Sequence, residues 1–352
     1  MSTASSKAQL QPVSETQLHP ADHVMQLATG YMASISIYIV AKLGIADLLA
    51  AGPQNVSDLA AATQTHEDRL YRVLRALAAV GVFSEVTPRQ FALTPAAQVL
   101  RSDVPDSILP MAMWMSDPFH FRTYAELMHT VRTGEITFDL IYGKPIFEYF
   151  REDPKEADCF HDAMTCFSGA VVPAVLKAYD FSGIGKLLDV ACGHGALLGA
   201  ILKKYPQMLG MLFDLDHVIE GTRRAITKNG LEKRCELLSG DFFSSVPQGA
   251  DAIIMKHIIH DWDDAKAAII LRNCRKALAG KVNAKLLLVE TVIPPGNEPH
   301  LGKFIDLEMM VFPGGRERTE EEFRKLFAAS GLRLNRVVPT DAPLWVVEAV
   351  PA

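Results

Sequence analysis

The spacing of hydrophobic residues changes once along the chain. Before Tyr179 the apolar positions mostly recur every three or four residues, which predicts helices. After Tyr179, short apolar runs alternate with helical stretches, and this alternation predicts a mostly parallel sheet covered by helices. The pattern therefore predicts a helical amino-terminal part followed by an α/β domain.

The first predicted helix lies within His23 to Leu49 and is apolar around nearly its whole circumference. A helix of this kind needs to be covered on all sides, and a peripheral one is typical of a subunit interface. We therefore predict that the protein is a homodimer.

Residues 56–100 read as short helices followed by a hairpin. Ser57 is predicted to cap a helix over Asp58 to Ala62, and a second helix over His66 to Val80 ends at Gly81. The segment VFSEVTPRQFALT then alternates around a turn, which predicts a two-stranded wing. Together these elements resemble a winged-helix module.

A winged helix raises the hypothesis of a DNA-binding regulator. Arg69, Arg72 and Arg75 lie on one side of the second helix, but Glu67 and Asp68 stand at its start, where a reading helix meets the major groove. The formal net charge of -6 adds no attraction for nucleic acid. A solvated charged face is the favoured interpretation, and salt-sensitive binding to random duplex DNA would support the regulator.

Residues 101–180 are predicted to be helical and carry many methionine and aromatic side chains. These side chains form either an ordinary core or an adaptable pocket for a flat ligand. Pro173 is predicted to interrupt the last helix, and Phe181 to Gly185 is predicted to lead into the central strand.

The α/β part contains seven predicted strands, of which the last two form an antiparallel pair. The central strand lies in LLDVACGHG, from Leu187 to Gly195, and the closing pair consists of Leu332 to Val338 and Trp345 to Val350. Thr319 and Glu322 predict a capping box for the helix before this pair.

Three predicted strands end in an aspartate, at the edge where open α/β sheets bind ligands: Asp189, Asp214 and Asp241. Gly193 leaves room for a ligand in the turn after the first of them. A dinucleotide is disfavoured, because Leu198 replaces the third glycine of its fingerprint and Asp189 would repel a pyrophosphate. S-adenosylmethionine fits better, since its ammonium group, ribose hydroxyls and adenine amino group can each meet one acid.

Composition is consistent with this interpretation. Of the 352 residues, 49% are hydrophobic and 22% charged, as in soluble globular chains. Five cysteines without a CxxC pair argue against disulfides and structural zinc and favour a cytoplasmic location.

No apolar run reaches about 18 residues, so no membrane span is predicted. Residues 1–20 are polar and lack a targeting signal, which predicts a disordered tail.

Four segments carry a family resemblance: FDLDHVI from Phe213, GDFF from Gly240, MKHIIHDW from Met255 and GGRERTEEEF from Gly314. With them the chain resembles, from about residue 25 to 350, the cation-independent O-methyltransferases typified by plant caffeic acid and flavonoid enzymes and their bacterial relatives. This resemblance implies a Rossmann-like class I methyltransferase sheet and a winged-helix dimerisation domain without DNA function.

The resemblance divides the chain into four parts. They are a tail (1–20), a dimerisation domain (21–105), a helical linker with the acceptor pocket (106–180) and a cofactor-binding catalytic domain (181–352). Ala191 and Cys192 replace glycines that many relatives carry, which predicts a bulkier cofactor turn.

The resemblance also implies candidate site residues. It makes His260 the catalytic base, flanked by Glu290 and Glu317. Together with the strand ends, it gives seven candidates for cofactor binding: Ser168, Asp189, Gly193, Asp214, Asp241, Phe242 and Lys256. Five side chains fall where the family lines its acceptor pocket: Trp114, Phe160, Met164, Met309 and Met310.

These residues predict methylation of a phenolic hydroxyl on a flavonoid, phenylpropanoid or aromatic polyketide, with S-adenosylhomocysteine as the product. A phenol and an imidazole differ by roughly 3.5 pKa units, so a carboxylate bonded to His260 is needed to raise its basicity. No metal is predicted. The loops offer a histidine and two glutamates in the pattern of a base with orienting acids, and not the clustered Asp and Asn ligands of metal-dependent catechol methyltransferases. Decarboxylation, hydroxylation and pericyclic steps also occur on this fold and remain the alternative.

Overall fold

A computed structural model describes residues 19–352, which divide into two compact units between Arg101 and Ser102. Of the predicted tail, residues 1–18 lie outside the described residues. The first unit contains α1 (Pro20–Lys42), α2 (Ile45–Leu48), β1 (Gln54–Asn55), α3 (Val56–Thr63), α4 (Glu67–Ala79), β2 (Phe83–Thr87), β3 (Gln90–Leu93) and α5 (Pro95–Gln98), with a 3-10 turn at Leu49–Ala51.

The predicted wing is present as the antiparallel pair β2 and β3, and β1 pairs with the other edge of β3. The predicted cap at Ser57 is wrong: α3 begins at Val56, after Asn55, and no side chain caps it. Burial of Val56 explains the earlier start, because that side chain joins the core under α4. Strand β1 escapes prediction because two residues carry no periodicity.

Helix α1 is largely exposed within the single chain. Only Val40 and Ala41 of its residues are buried. Six large side chains, between 37% and 66% exposed, lie along its first 16 residues: Val24, Met25, Leu27, Tyr31, Met32 and Ile35. The predicted all-round burial is therefore not met within one chain, and a broad apolar surface is left for a partner.

The second unit begins with six helices: α6 (Leu109–Met115), α7 (Pro118–Ala125), α8 (Leu127–Thr133), α9 (Thr137–Tyr142), α10 (Ile146–Glu152) and α11 (Pro154–Ala178). The α/β part follows with β4 (Lys186–Val190), α12 (Ala196–Lys204), β5 (Leu209–Asp214), α13 (Asp216–Lys228), β6 (Cys235–Ser239), β7 (Ala252–Lys256), α14 (Asp264–Ala277), β8 (Lys285–Glu290), α15 (Gly302–Val311), α16 (Glu320–Ala329), β9 (Leu332–Val338) and β10 (Trp345–Pro351).

The seven strands form one sheet in the order β6-β5-β4-β7-β8-β10-β9. The first five of these are parallel, whereas β10 runs antiparallel to both β8 and β9. This confirms the predicted seven-stranded sheet with an antiparallel end. Because parallel strands end at one edge, Asp189, Asp214, Lys256 and Glu290 all lie near the same edge of the sheet.

The predicted interruption at Pro173 is wrong, because α11, which is 25 residues long, continues without a break through Pro173 to Ala178. Proline removes one backbone hydrogen bond, but Val171, Val172 and Val175 are buried around it and hold the helix in place. By length and hydropathy alone, α11 and α1 could each cross a membrane, contrary to the prediction of none. Two such helices are weak evidence, since the core helix of a soluble protein meets the same criterion.

Candidate active site

The loop after β7 carries His260, which lies in a 3-10 turn over Ile259–Asp261 and is buried. Its Nδ1 lies 2.9 Å from Oε1 of Glu317, a carboxylate that is also buried. Its other ring nitrogen, Nε2, is 3.4 Å from Oδ1 of Asp261. The imidazole is therefore oriented through Nδ1, and Nε2 is the nitrogen available for chemistry.

Glu290 ends β8 and is fully buried. Its Oε1 accepts hydrogen bonds from the backbone N–H of Ile258 at 3.1 Å and of Ile259 at 2.8 Å. Within the described residues its carboxylate makes no hydrogen bond to His260. The two flanking glutamates thus differ: Glu317 bonds the imidazole, and Glu290 holds the loop that carries it.

The carboxylates control the charge of His260. Burial alone lowers the pKa of His260, but Glu317, Asp261 and Glu290 outweigh it and raise the pKa to about 10. Burial in turn raises the pKa of Glu290 to about 7. These carboxylates therefore favour the protonated imidazole, and a cation bound nearby would lower its pKa and favour release of the proton.

A glycine that sequence reasoning missed brings Glu317 to this loop. A Cβ on Gly315 would lie 2.0 Å from the carbonyl oxygen of His260, so only glycine allows the two backbones to approach. Beside it, the N–H of Arg316 donates to that same oxygen at 2.8 Å. The glycine pair in GGRERTEEEF was the available signal.

Asp189 and Asp214 stand on neighbouring strands at the sheet edge. The Asp214 carboxylate accepts from the N–H of Gly193 and of Leu215, both at 2.8 Å. Burial raises the pKa of Asp189 to about 7; Lys256 opposes this rise and Asp214 adds to it. A cationic ligand relieves this repulsion between acids, whereas a pyrophosphate would increase it. These carboxylate acceptors therefore fit the ammonium and hydroxyl groups of S-adenosylmethionine.

The turn between β4 and α12 departs from ordinary backbone geometry. Ala191 has φ +56°, a left-handed conformation that favours glycine, and Gly193 and Gly195 have φ +54° and +71°. The N–H of Ala191 donates to the carbonyl of Phe213 at 2.8 Å, which joins the turn to the end of β5. The turn thus forms without a glycine at its first position, at the cost of strain at Ala191.

The remaining cofactor candidates lie at different places. Asp241 is exposed and accepts from the N–H of Phe243 at 2.8 Å, next to a half-buried Phe242. Lys256 is half-exposed at the end of β7, and burial lowers its pKa while Asp189 and Glu290 oppose this. Ser168 lies in α11 and donates to the carbonyl of Met164 at 2.8 Å, which leaves its oxygen free to accept.

Four of the five acceptor candidates join one aromatic cluster in the second unit. Trp114 is buried there, with Phe160, Met164 and Met310 packed against the cluster. The Trp114 and Phe160 rings are 5.4 Å apart and meet edge to face. Met309 is half-buried on α15, and its carbonyl accepts from the N–H groups of Gly314 and Gly315.

Sequence reasoning missed a buried polar network beside this cluster. His120 Nδ1 lies 2.9 Å from Asp117 Oδ1, and its Nε2 lies 2.8 Å from Glu308 Oε1. The hydroxyl of Tyr124 donates to the other oxygen of Glu308 at 2.8 Å. The His120 ring also packs edge-on against Trp114, with centroids 4.6 Å apart. The motif analysis offered no signal for it, because the network joins residues 188 positions apart.

One set of side chains among residues 19–352 has donors suited to a metal: His257, His260 and Glu290, with one ligand atom each within 4.8 Å of the others. The two imidazoles, however, are stacked, with centroids 4.3 Å apart and planes 27° apart. Ring nitrogens bind metals in the plane of the ring, so the lone pairs of nearly parallel rings do not converge on one ion.

Comparison with known proteins places the chain among methyltransferases. Residues 124–333 match the O-methyltransferase domain and residues 25–103 the O-methyltransferase dimerisation domain. The chain is 43% identical over 328 residues to the phenazine O-methyltransferase PhzM of Lysobacter antibioticus, an alignment that covers 93% of this chain and 95% of that protein.

Two solved structures extend the comparison. The crystal structure of LaPhzM has a TM-score of 0.87 at 42% identity, covering 95% of this chain and 100% of that one. The neocarzinostatin-biosynthesis enzyme NcsB1, in complex with S-adenosylmethionine and 2-hydroxy-5-methyl naphthoic acid, has a TM-score of 0.78 at 29% identity, covering 91% and 96%. The chain therefore belongs to the O-methyltransferase family and is an S-adenosylmethionine-dependent O-methyltransferase.

Proposed function

We propose that the enzyme methylates a hydroxyl group of a small aromatic acceptor, with His260 as the general base and without a metal. The observation that carries this proposal is the 2.9 Å contact between His260 Nδ1 and Glu317. It fixes the ring so that Nε2 can take the acceptor proton, and the carboxylate stabilises the imidazolium that results. One relative is named as a phenazine O-methyltransferase, and another is bound to a naphthoic acid; both names support the proposal that the acceptor is flat.

The cofactor supplies an electrophilic methyl group on a sulfonium. We propose that seven residues at the sheet edge and in α11 hold it: Ser168, Asp189, Gly193, Asp214, Asp241, Phe242 and Lys256. Five side chains would line the acceptor pocket: Trp114, Phe160, Met164, Met309 and Met310. Glu290 keeps the base loop in place through its two backbone hydrogen bonds.

The domain limits belong to the same proposal. Residues 21–105 would form the dimerisation domain, 106–180 the linker and acceptor pocket, and 181–352 the catalytic domain of a cytoplasmic homodimer. The five free cysteines support a cytoplasmic location, because a reducing compartment keeps thiols unpaired.

The test compares His260→Ala with His129→Ala, which removes a half-buried histidine outside the site. We expect His260→Ala to bind S-adenosylmethionine at least as tightly as the wild type by calorimetry, because an imidazolium opposes a bound cation, and to lose about 10²- to 10⁴-fold in methyl transfer to a phenolic library. His129→Ala should match the wild type, and EDTA should leave activity unchanged. Full activity in His260→Ala would disprove the base assignment, and loss in EDTA restored by magnesium would disprove the metal-free mechanism.

A further inference from the structure

Three aromatic rings are stacked at the base. The ring of His257 lies against Phe167 of α11, with centroids 4.9 Å apart and planes 15° apart. Its other side lies against His260, with centroids 4.3 Å apart and planes 27° apart. His257 is therefore held on both faces, and only its ring edge can make polar contacts.

The backbone supports this placement at a cost. His257 has φ +54°, a left-handed backbone conformation that few residues other than glycine adopt freely. Its N–H still donates to the carbonyl of Val289 at 3.1 Å, so the strain is held by the sheet. Strained residues of this kind are destabilising and cluster at functional sites.

The edge of the ring carries an unused polar atom. Nε2 of His257 is buried and has no hydrogen-bond partner within the described residues. Burial, followed by the charges of His260 and Lys256, holds the pKa of His257 well below its usual range, so the ring is neutral. A neutral imidazole presents one donor and one acceptor nitrogen, and leaving either unpaired in a buried site is destabilising.

The position of this atom relates it to the acceptor. One ring nitrogen of His257 and one of His260 lie within 4.8 Å of each other, with an oxygen of Glu290 at a similar distance. Two polar atoms on adjacent carbons of an aromatic ring are separated by about one hydrogen-bond length. A nitrogen of His257 and a nitrogen of His260 at this spacing can therefore contact two adjacent substituents of one acceptor ring at the same time.

We propose that His257 Nε2 hydrogen-bonds a second polar substituent, adjacent on the ring to the hydroxyl that His260 deprotonates. The enzyme would then favour acceptors with vicinal oxygen or nitrogen atoms over simple phenols. This inference rests on the proposed function, because it assumes an aromatic hydroxyl at His260. It makes His257 a determinant of specificity rather than part of the proton transfer.

The test uses 2-naphthol, 2,3-dihydroxynaphthalene and 2,7-dihydroxynaphthalene as acceptors for the wild type and His257→Phe, which keeps the stack but removes both nitrogens. We expect the wild type to show a kcat/KM at least tenfold higher for the 2,3-diol than for the 2,7-diol. In His257→Phe this ratio should fall to about one while activity on 2-naphthol persists. A structural role alone would lower all three activities together.

A measurement on the wild type keeps the test independent of how the variant folds. With S-adenosylhomocysteine bound, the 2,3-diol should shift the ¹⁵N resonances of His257, and the 2,7-diol should not. Equal kcat/KM values for both diols in the wild type, or an unchanged ratio in His257→Phe, would overturn this inference alone. Failure of the wild type to methylate any of the three naphthols would overturn the proposed acceptor class as well.

Discussion

At the scale of single residues, the Glu317 carboxylate decides how the proposed base behaves. It is buried beside the imidazole, where a charge interacts strongly because little water screens it. It also contributes to the rise of the His260 pKa to about 10, the largest contribution among the three nearby acids. The basicity of His260 is therefore set mainly from the segment after α15.

We expect Glu317→Gln to move the low-pH limb of the pH profile of kcat/KM to lower pH. Removal of a negative neighbour destabilises the imidazolium, so the pKa of His260 falls and the neutral base is present at lower pH. The plateau should also fall by about tenfold or more, because the orienting bond is weakened. Rates between pH 6 and pH 10.5 at saturating cofactor measure both effects.

Glu321→Gln is the matched control, since it removes an exposed carboxylate four residues further along. It should leave the profile in place. A limb that stays where it is in Glu317→Gln, or that moves to higher pH, would contradict the role given to this carboxylate.

At the scale of elements, the buried network around His120 joins α7 to α15. Asp117 precedes α7, Tyr124 lies within it, and Glu308 stands immediately before Met309 and Met310 on α15. Burial lowers the pKa of His120, but Asp117 and Glu308 outweigh it and raise the pKa to about 9. The joint between the two helices is therefore a charged one at neutral pH.

The stability conferred by His120 should depend on pH. Its folded-state pKa lies above the unfolded value, so the stabilisation is complete below about pH 6.5 and is lost as the pH rises through about 9. The difference in unfolding midpoint between the wild type and His120→Gln should therefore be large at pH 6 and shrink by pH 9.5. Thermal unfolding at these two pH values measures it.

His129→Gln provides the comparison, because His129 is outside the buried network. The difference in unfolding midpoint between His129→Gln and the wild type should be the same at both pH values. A His120→Gln difference that is the same at pH 6 and pH 9.5 would show that packing, and not charge, accounts for the effect.

The α/β elements could be predicted closely because most strands are short apolar runs, and β4, β5 and β8 carry an acid at or next to their last residue. Asp189 and Asp214 are examples, since a strand end is fixed by local sequence. Pro173 could not be judged from sequence, because tertiary burial around it outweighs the lost hydrogen bond. The approach of Gly315 to His260 joins two loops far apart in sequence, so the glycine pair in GGRERTEEEF indicates a close backbone approach without indicating which loop it meets.

At the scale of the whole molecule, the exposed apolar side of α1 is where we expect a second copy to bind. Leu27 and Met32 are 66% and 55% exposed and lie on a helix matched by the dimerisation domain. Burying such side chains contributes about 1.5–3 kcal/mol each. Two of them together can therefore decide whether the dimer persists at micromolar concentration.

We expect the wild type to sediment as a dimer, and the double variant Leu27→Glu, Met32→Glu to dissociate with a Kd raised by about 10²-fold or more. Val282→Glu is the control, because Val282 is an equally apolar side chain, 85% exposed, in the second unit. Sedimentation equilibrium over a concentration series measures the Kd. A wild type that is monomeric at micromolar concentration would exclude this interface, and so would a double variant with an unchanged Kd.

The segment from Met309 to Glu317 carries both a proposed wall of the acceptor pocket and the partner of the base. Its parts are joined by backbone hydrogen bonds from Gly314 and Gly315 to Met309, and from Arg316 to His260. We therefore expect that a substitution at Met309 large enough to move its backbone also shifts the carboxylate that tunes the base. Selection for a new acceptor at this position should lower turnover first, so evolving lineages and engineered chimaeras should recover speed through compensating changes elsewhere in this segment.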